Sequence, residues 1–460
     1  MAQVRLQNWK REITYHAHTV EVAQSVDDIV RIVRDRGRYP GPVRVKGSHH
    51  STTRCVVNEG GTVIDTTGLN KILDIDTAAQ TITMQAGVLH IDAAKALEAE
   101  GLQFYVNVEI GNMTVGSGAC GGTKDASFYS PAEGWEFGQV ASYATCIKAV
   151  DVEGNLFEVT EADGDLTAAT RSSYGMLGVI YEVTFRVRKI APMAVEHVRY
   201  DIDEFADRLD ELVAGDRSMM LYLFPFLDRV MVEYRSEGTP PMRANAWQWR
   251  LRNFVWSKLG PGFAKIVTSY VPFRFLRGFL LNMMNRLTLL MAALLLRGNS
   301  TSPADQIIRY PDVGGFTAYT FSIWAFPRHE YAETVRAYFR FCREYYKKTG
   351  FRCDLLNVGY HIIEDRQSLF SYTRNAPALT LDPVATGGPG WQEFLVAYND
   401  FCSRHNGTPL FNQTPAVTPA QVQAAFADEI EDFLAVRRER DPAGRFYTPF
   451  FRSLFESGGD

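Results

Sequence analysis

Pro42-Val-Arg-Val-Lys-Gly-Ser-His-His-Ser51 is the stretch on which the fold turns. Its first half alternates β-branched and polar residues as a strand does, and a glycine then opens a loop of small hydroxyl residues and two histidines. A glycine and hydroxyls after a strand expose several backbone N–H groups together, a concavity that holds phosphate without a lysine clamp. Outward from this stretch, Gly61-Thr-Val-Ile-Asp65 and Gln80-Thr-Ile-Thr-Met-Gln-Ala86 read as further strands. Between them, Ser25 to Arg34 reads as a helix opened by an N-cap serine, and His90 to Glu100 as one that stops at Gly101. Ala144 to Val159 and Val179 to Val187 add strand-rich segments, the second entered by the tight Gly175-Met-Leu-Gly178 turn. The amino-terminal region is therefore mixed helix and sheet.

The 460 residues carry 48 Lys plus Arg against 53 Asp plus Glu, a formal charge of -5, with 46% hydrophobic residues. At roughly 150 residues per domain this allows two or three domains and a large core, and it excludes disorder, collagen and coiled coil. The charge balance lacks the basic footprint of a nucleic-acid binder. Cys55, Cys120, Cys146, Cys342, Cys353 and Cys402 are scattered with no CxxC pair and no Cys/His cluster. Neither a disulfide framework nor a metal site is expected, and reduced thiols in a cytoplasm are. The first ten residues carry charges and amides where a signal peptide needs an apolar core of about 7–15 residues, so secretion is not expected.

Beyond about Pro192 glycine thins and aromatic residues cluster, which places a domain boundary there. Residues 238–304 contain no Asp or Glu, yet carry nine Arg and Lys among Trp, Phe, Leu and Met. A span needs about 20 apolar residues, and Arg286, midway between Arg277 and Arg297, disfavours one. Two arrangements satisfy the composition: an interfacial helix pair with apolar faces in lipid and cations at anionic headgroups, or a buried helix pair lining a pocket. Gln421 to Arg440 reads as an amphipathic helix and Asp441-Pro-Ala-Gly-Arg-Phe446 as a turn.

Two more glycine-rich segments follow the first: Ile110-Gly-Asn-Met-Thr-Val-Gly-Ser-Gly-Ala-Cys-Gly-Gly-Thr-Lys124 and Gly175-Met-Leu-Gly-Val-Ile180. Glycine is so frequent in the former that side-chain packing does not account for it, and close approach of backbone to a flat or phosphorylated ligand is expected. Neither G-x-G-x-x-G opening a first βαβ unit nor GxxxxGK[ST] is present. Together the three segments point to a dinucleotide held by loops.

The order and spacing of Gln24-Ser-Val-Asp-Asp-Ile29, Val43 to Ser51, Gly68-Leu-Asn-Lys-Ile-Leu73, Gln85-Ala-Gly87, Thr114-Val-Gly-Ser117, Gly121-Gly-Thr123 and Leu177-Gly-Val-Ile180 resembles the FAD-binding domain of the vanillyl-alcohol oxidase / p-cresol methylhydroxylase superfamily, nearest its sugar-lactone (gulonolactone/arabinonolactone) and alditol oxidase branch. The resemblance runs from about Val20 to Arg188 and resumes at Asp441 to Phe446 with Pro449. It implies an α+β fold: a two-subdomain PCMH-type FAD-binding domain over 1–190, a cap domain with an antiparallel sheet flanked by helices over 191–414, and a segment 415–460 returning to the FAD domain. FAD is the implied cofactor. Lys46, Gly47, Ser48, His49, His50, Ser51, Gly87, Ile110, Gly111, Thr114, Gly116, Ser117, Gly121, Gly122, Thr123, Gly178, Val179 and Ile180 are the implied cofactor-binding residues. In the family's Gly-x-x-His-Ser pattern the histidine bonds covalently to the flavin, which here is His50, unless it only packs near the ring. His49 is expected to meet FAD phosphate or ribose.

The substrate side departs from that branch. Its Glu-x-Arg cap strand reads Leu355-Leu-Asn-Val-Gly-Tyr-His-Ile-Ile363 here, its Pro-His-Trp-Gly-Lys motif becomes Thr408-Pro-Leu-Phe-Asn-Gln413, and Lys124 stands where a histidine is usual. The oxyanion-stabilising arginine is then missing and the pocket more apolar, against polyol and aldonolactone substrates. Asn357, Gly359 and His361 share one strand face and Val358, Tyr360 and Ile362 the other, and either could look at the flavin. The candidate catalytic residues are His361, Tyr360, Asn357, Gln413 and Lys124, while Glu109 and Asp125 are expected to be exposed loop carboxylates. The implied activity is hydride removal from a CH–OH group of a sugar, lactone, alcohol or lipophilic analogue to flavin N5, with reoxidation by O2 or a quinone-type acceptor. The alternatives are a membrane-associated FAD dehydrogenase or reductase of a lipid-like or sterol-like substrate, and a non-catalytic flavin-binding protein. A cytoplasmic enzyme, in peripheral contact with the inner face of a membrane through 238–304, is the implied setting.

Overall fold

A computed structural model describes residues 3–298 and 300–456; residues 1–2, 299 and 457–460, which fall within the three expected segments, lie outside the described residues. Strands β1 (Thr19–Val22), β2 (Val43–Lys46) and β3 (Thr62–Asp65) form a parallel sheet with β3 in the centre. Helix α1 (Val26–Arg34) crosses between β1 and β2. It starts at Ser25 because the Ser25 hydroxyl accepts from the Asp28 N–H while the Asp28 carboxylate accepts from the Ser25 N–H, a closed capping box. Its apolar stripe, Ile29, Ile32 and Val33, is wholly buried against Ile64 and Val43. Burial of each such side chain contributes about 1.5–3 kcal/mol.

The second subdomain is an antiparallel sheet of β4 (Ile72–Asp76), β5 (Thr81–Gln85), β6 (Leu102–Phe104), β7 (Ala144–Val150), β8 (Leu156–Thr160) and β9 (Val179–Lys189). Its order is β8-β7-β9-β5-β4, with β6 on the far end of β9. Helices α2 (His90–Ala99) and α3 (Val115–Cys120) pack on it. The period-2 alternation of Gln80 to Ala86 is realised, with Ile82 and Met84 buried between half-buried threonines.

The chain then forms an eight-stranded antiparallel sheet from β10 (Met193–Asp201), β11 (Ser218–Phe224), β12 (Arg229–Glu237), β13 (Ser300–Thr301), β14 (Trp324–Pro327), β15 (Asn357–Ile362), β16 (Ala378–Leu381) and β17 (Thr408–Pro409), in the order β13-β10-β12-β11-β15-β16-β14-β17. One face, with Leu221, Leu223, Val230 and Val232, packs on the helices Arg328–Thr349 and Trp391–Arg404. Met220, Tyr222, Met231 and Val358 form the other face, beneath Leu289 and Ala292. Residues 238–304 supply three helices rather than a pair: α4 (Trp247–Phe254), α5 (Gly260–Tyr270) and α6 (Arg274–Leu295). After the cap, the helix Pro419–Arg440 and the segment to Phe455 return to the first subdomain, packing with Tyr15, Tyr174 and Leu177. The Asp441 carboxylate accepts from the Arg445 and Phe446 N–H groups, and the Arg445 carbonyl accepts from the Val43 N–H at the start of β2.

Candidate active site

The three glycine segments meet where β2 and β5 end and β9 begins. The Gly116 N–H donates to the Ala86 carbonyl, the Ala86 N–H to the Tyr181 carbonyl at the head of β9, and the Gly87 N–H to the Leu69 carbonyl, each at 2.8–2.9 Å. The Thr66 hydroxyl donates to the Lys46 carbonyl at 3.1 Å. The loop after β2, the turn after β5 and the 110–123 segment are therefore held side by side.

The glycines perform this packing, which corrects the expectation that packing was not their purpose. A Cβ on Gly47 would lie 2.3 Å from Thr114 Oγ1, one on Gly87 2.0 Å from the Thr66 carbonyl, and one on Gly111 2.6 Å from Ile307 Cγ2. On Gly122 it would meet Leu410 Cδ1 at 2.1 Å, and on Gly178 Phe157 Cε1 at 3.0 Å. Backbone approaches closely here, but in these directions the neighbour is protein. Thr114 Oγ1 bonds Ser117 Oγ at 2.9 Å, Ile110 bridges to Ile308, Gly121 and Thr123 close turns within their own loop, and Val179 and Ile180 pair with β7.

The ligand-facing features lie in the loop itself. His49 has φ 57°, and the backbone N–H groups of Ser48, His49, His50 and Ser51 make no hydrogen bond to protein among the described residues. His50 stacks on Trp9, 5.1 Å between centroids, with its Nε2 buried and unpartnered. Burial first, and the neighbouring His49 next, push its pKa down to about 4, so the ring is neutral at pH 7 and its nitrogen lone pair free to bond. The side chain of Ser117 is exposed beside this loop's partner Thr114. Free N–H groups in a row suit a pyrophosphate, and an orphaned neutral imidazole suits a ring carbon, so these residues fit FAD.

Two of the expected cofactor contacts are otherwise engaged. His49 Nδ1 bonds the Gln7 carbonyl and its Nε2 the Tyr15 hydroxyl, both at 3.1 Å, so neither nitrogen is left for phosphate or ribose. Lys46 pairs with Asp65.

Of the catalytic candidates, Lys124 and Tyr360 come together. Lys124 Nζ lies 2.9 Å from Asp382 Oδ2 and 3.8 Å from the centroid of the Tyr360 ring. Asp382 Oδ1 is buried without a partner. Burial lowers the Lys124 pKa and raises that of Asp382, each against the pull of the other charge, which narrows the gap between them and favours proton exchange. Gln413 sits at the histidine loop, its Oε1 accepting from the Thr52 hydroxyl at 3.1 Å. Asn357 and His361 are not brought into this pair, and both ring nitrogens of His361 are buried without a partner among the described residues. Asn357 donates to the Tyr338 hydroxyl at 2.8 Å and accepts from the Val384 N–H, so its amide is spent on the helix-covered face. The His361 ring lies edge-on to Trp135, 5.6 Å away, across the strand from Tyr360, with a pKa pushed down to about 4 by burial and then Arg328.

Buried charges do lie on the cap sheet, on a strand other than the one read against the Glu-x-Arg pair. On β12, Glu233 and Arg235 share a face with Met231 and look toward Tyr222. Arg235 Nε bonds Glu233 at 2.7 Å and its Nη1 reaches Asp125 at 2.9 Å, across to the loop that follows Lys124. His197 bonds Glu233 at 2.9 Å. Burial opposes the Glu233 charge, but Arg235 and His197 hold its pKa well below the carboxylate range. Asp125 and Glu109 are not exposed loop carboxylates: Asp125 is 8% exposed, and Glu109 pairs with Arg252 at 3.1 Å. A cavity of about 30 Å³ lined by Asp125, Arg235, Gln306 and Asn107 separates the loop from the sheet. The Glu-Tyr-Arg triplet was visible in the sequence inside an otherwise apolar alternating run, where two charges on one face are anomalous. Asp382 gave no such signal.

Comparisons with known proteins agree with this architecture. The family described as FAD binding domain matches residues 17–129. The chain is 25% identical over 235 residues to L-gulono-1,4-lactone dehydrogenase of Mycobacterium tuberculosis, covering 51% of this chain and 53% of that protein. It is 24% identical over 254 residues to L-gulonolactone oxidase of Bos taurus, covering 54% of each. It thus spans about half the length of these relatives. Among solved structures, cholesterol oxidase from Brevibacterium sterolicum superposes with a TM-score of 0.80 at 16% identity, covering 98% of this chain and 97% of that one. The xylooligosaccharide oxidase from Myceliophthora thermophila gives 0.67 at 12%, covering 96% and 93%. The chain carries an FAD-binding domain over residues 17–129 and has the fold of these oxidase structures.

Proposed function

We propose that this protein is an FAD-dependent oxidoreductase, an oxidase that takes a hydride from a CH–OH group and passes electrons to O2 or a quinone-type acceptor. Residues 1–190 and 415–460 would hold the cofactor and 191–414 cap it. The observation that carries the reading is a neutral, unpartnered His50 nitrogen in a loop of free N–H groups, built against the turns of two further glycine segments. The relatives are named as lactone, cholesterol and xylooligosaccharide oxidases and a lactone dehydrogenase, which supports oxidation at such a carbon.

Bound FAD supplies the hydride acceptor. The remaining chemistry belongs to the chain. Asp382 Oδ1, buried and free, takes the hydroxyl proton, and Lys124 steadies the carboxylate from its other oxygen. Arg235, held by Glu233 and Asp125, keeps a positive charge on the cap side, where negative charge grows on the substrate oxygen. Tyr360 and Tyr222 give the substrate an aromatic wall. The protein works on the cytoplasmic side.

Anaerobic mixing of the holoprotein with a panel of lactones, sugars, short alcohols and sterols tests this reading. Bleaching of the flavin absorbance by at least one is expected. A flavin that stays oxidised with every member would leave a binding protein and end the enzymatic reading.

A further inference from the structure

Fifteen of the 22 exposed large apolar residues among those described lie between Trp247 and Leu294. They lie on α4, α5 and α6 and on the segments that join them. On α6 the division is sharp: Leu281, Asn285 and Leu289 are buried at four-residue spacing, while Phe275, Phe279, Met283, Leu287, Leu290, Met291 and Leu294 are exposed on the opposite side. Phe275 is 77% exposed and Leu294 65%. Such a stripe is costly to leave in water, and soluble monomers rarely keep apolar patches of this extent.

Charge selects the occupant. No acidic residue occurs anywhere in 238–304, and Arg243, Arg250, Arg286 and Arg297 are exposed with no ion pair among the described residues. A protein partner of ordinary surface would leave these cations facing one another's field, whereas an anionic bilayer offers hydrocarbon to the stripe and phosphate to the arginines together. α6 is long and apolar enough to cross a membrane. Its inner stripe is nevertheless packed on the protein, Asn282 is bonded to Arg352 at 3.0 Å, and Arg286 sits mid-helix, so it lies along the surface.

The same layer roofs the candidate site. Trp256 packs edge-on against Tyr222 at 5.6 Å, and Leu289 and Ala292 cover the sheet face that carries Val358 and Tyr360. We propose that the outer face of α4–α6 sits in the headgroup and upper acyl region of an anionic bilayer, and that the substrate is a lipophilic alcohol entering beneath this roof from the lipid. The second half rests on the function proposed above; the first does not.

Flotation of the full-length holoprotein with phosphatidylcholine vesicles, with and without phosphatidylglycerol, tests the first half, using the wild type and the combined variant Phe275→Ser, Phe279→Ser, Leu287→Ser. The wild type is expected to float with anionic vesicles, at least tenfold more than the variant, and the variant to keep its flavin content and melting temperature. Equal flotation of both proteins, no flotation of the wild type, or a lipid-free wild-type dimer that the variant dissociates would each overturn it, the last by assigning the face to a second copy. For the second half, turnover of a long-chain alcohol embedded in the vesicles should fall at least tenfold in the variant, while turnover of a short water-soluble alcohol stays level. A parallel fall in both, or in neither, contradicts lipid entry. Loss of all turnover in the wild type would instead contradict the enzymatic reading and leave flotation to decide the membrane claim.

Discussion

His50 and Asp382 are alike in one respect: each is buried with one polar atom that no protein group satisfies, in a structure where such atoms are costly. The account assigns each orphan a partner, flavin carbon for one and a substrate proton for the other. His50→Ala is expected to abolish any flavin that survives acid precipitation while leaving the dissociable cofactor bound, as read by the mass of the denatured chain. Asp382→Asn should lower kcat by about 100-fold or more at unchanged flavin content, the usual scale for a general base. A variant within threefold of wild type would remove Asp382 from the mechanism. Lys124→Met should follow it, since the amide or alkyl partner can no longer share a proton across 2.9 Å.

Among the elements, the loops and turns that connect β2, β5 and α3 carry the most exacting geometry, and the obstacle differs from glycine to glycine. At Gly87 a methyl group would meet the backbone carbonyls of Thr66 and Leu69, which cannot move without disturbing the turn that follows β3. At Gly122 it would meet the tip of the Leu410 side chain, which can turn aside. Gly87→Ala is therefore expected to cost about 2 kcal/mol or more and to weaken flavin retention, and Gly122→Ala about 1 kcal/mol or less, both readable by denaturant midpoint. A larger loss at Gly122 would show that Leu410 is fixed. Local elements such as these were legible in the sequence. Ser25 marked α1, a β-branched run marked β3, a period-2 run marked β5, and glycines marked the loops, because capping, pleat and turn chemistry act over a few residues. The cap half of the site was not. Arg235 reaches Asp125 across 110 residues and Asp382 meets Lys124 across 258, so only strand order places them. The side of β15 that matters was left open for the same reason: alternation separates His361 from Tyr360, but only the sheet's neighbours say what each one faces.

At the scale of the whole molecule, four buried imidazoles set its response to acid. Burial, with Lys46 secondary at His49, His49 at His50 and Arg328 at His361, holds His49, His50 and His361 near 4, and burial alone holds His90 near 3, all from 6.5. The unfolded chain takes up these protons first, so the stability they lend is full above pH 6.5 and is lost as pH falls toward 4. Each contributes roughly 1.4 kcal/mol per pH unit within that window. The melting temperature is expected to fall steeply from pH 6.5 to pH 4.5, and His90→Phe, which keeps the stack on Phe104, should flatten the slope. A flat profile across that range would mean that these rings are solvated. The exposed apolar face and the candidate site are joined at this scale too, since the one helix that exposes Phe279 outward presses Leu289 inward over the sheet.

The most direct test of the central claim is the flavin content of the full chain after incubation with excess FAD and gel filtration, read from its visible absorbance against protein concentration. The account predicts close to one flavin per chain. A colourless protein that takes up none would mean that the loop at His50 and the glycine turns beside it were built for something else.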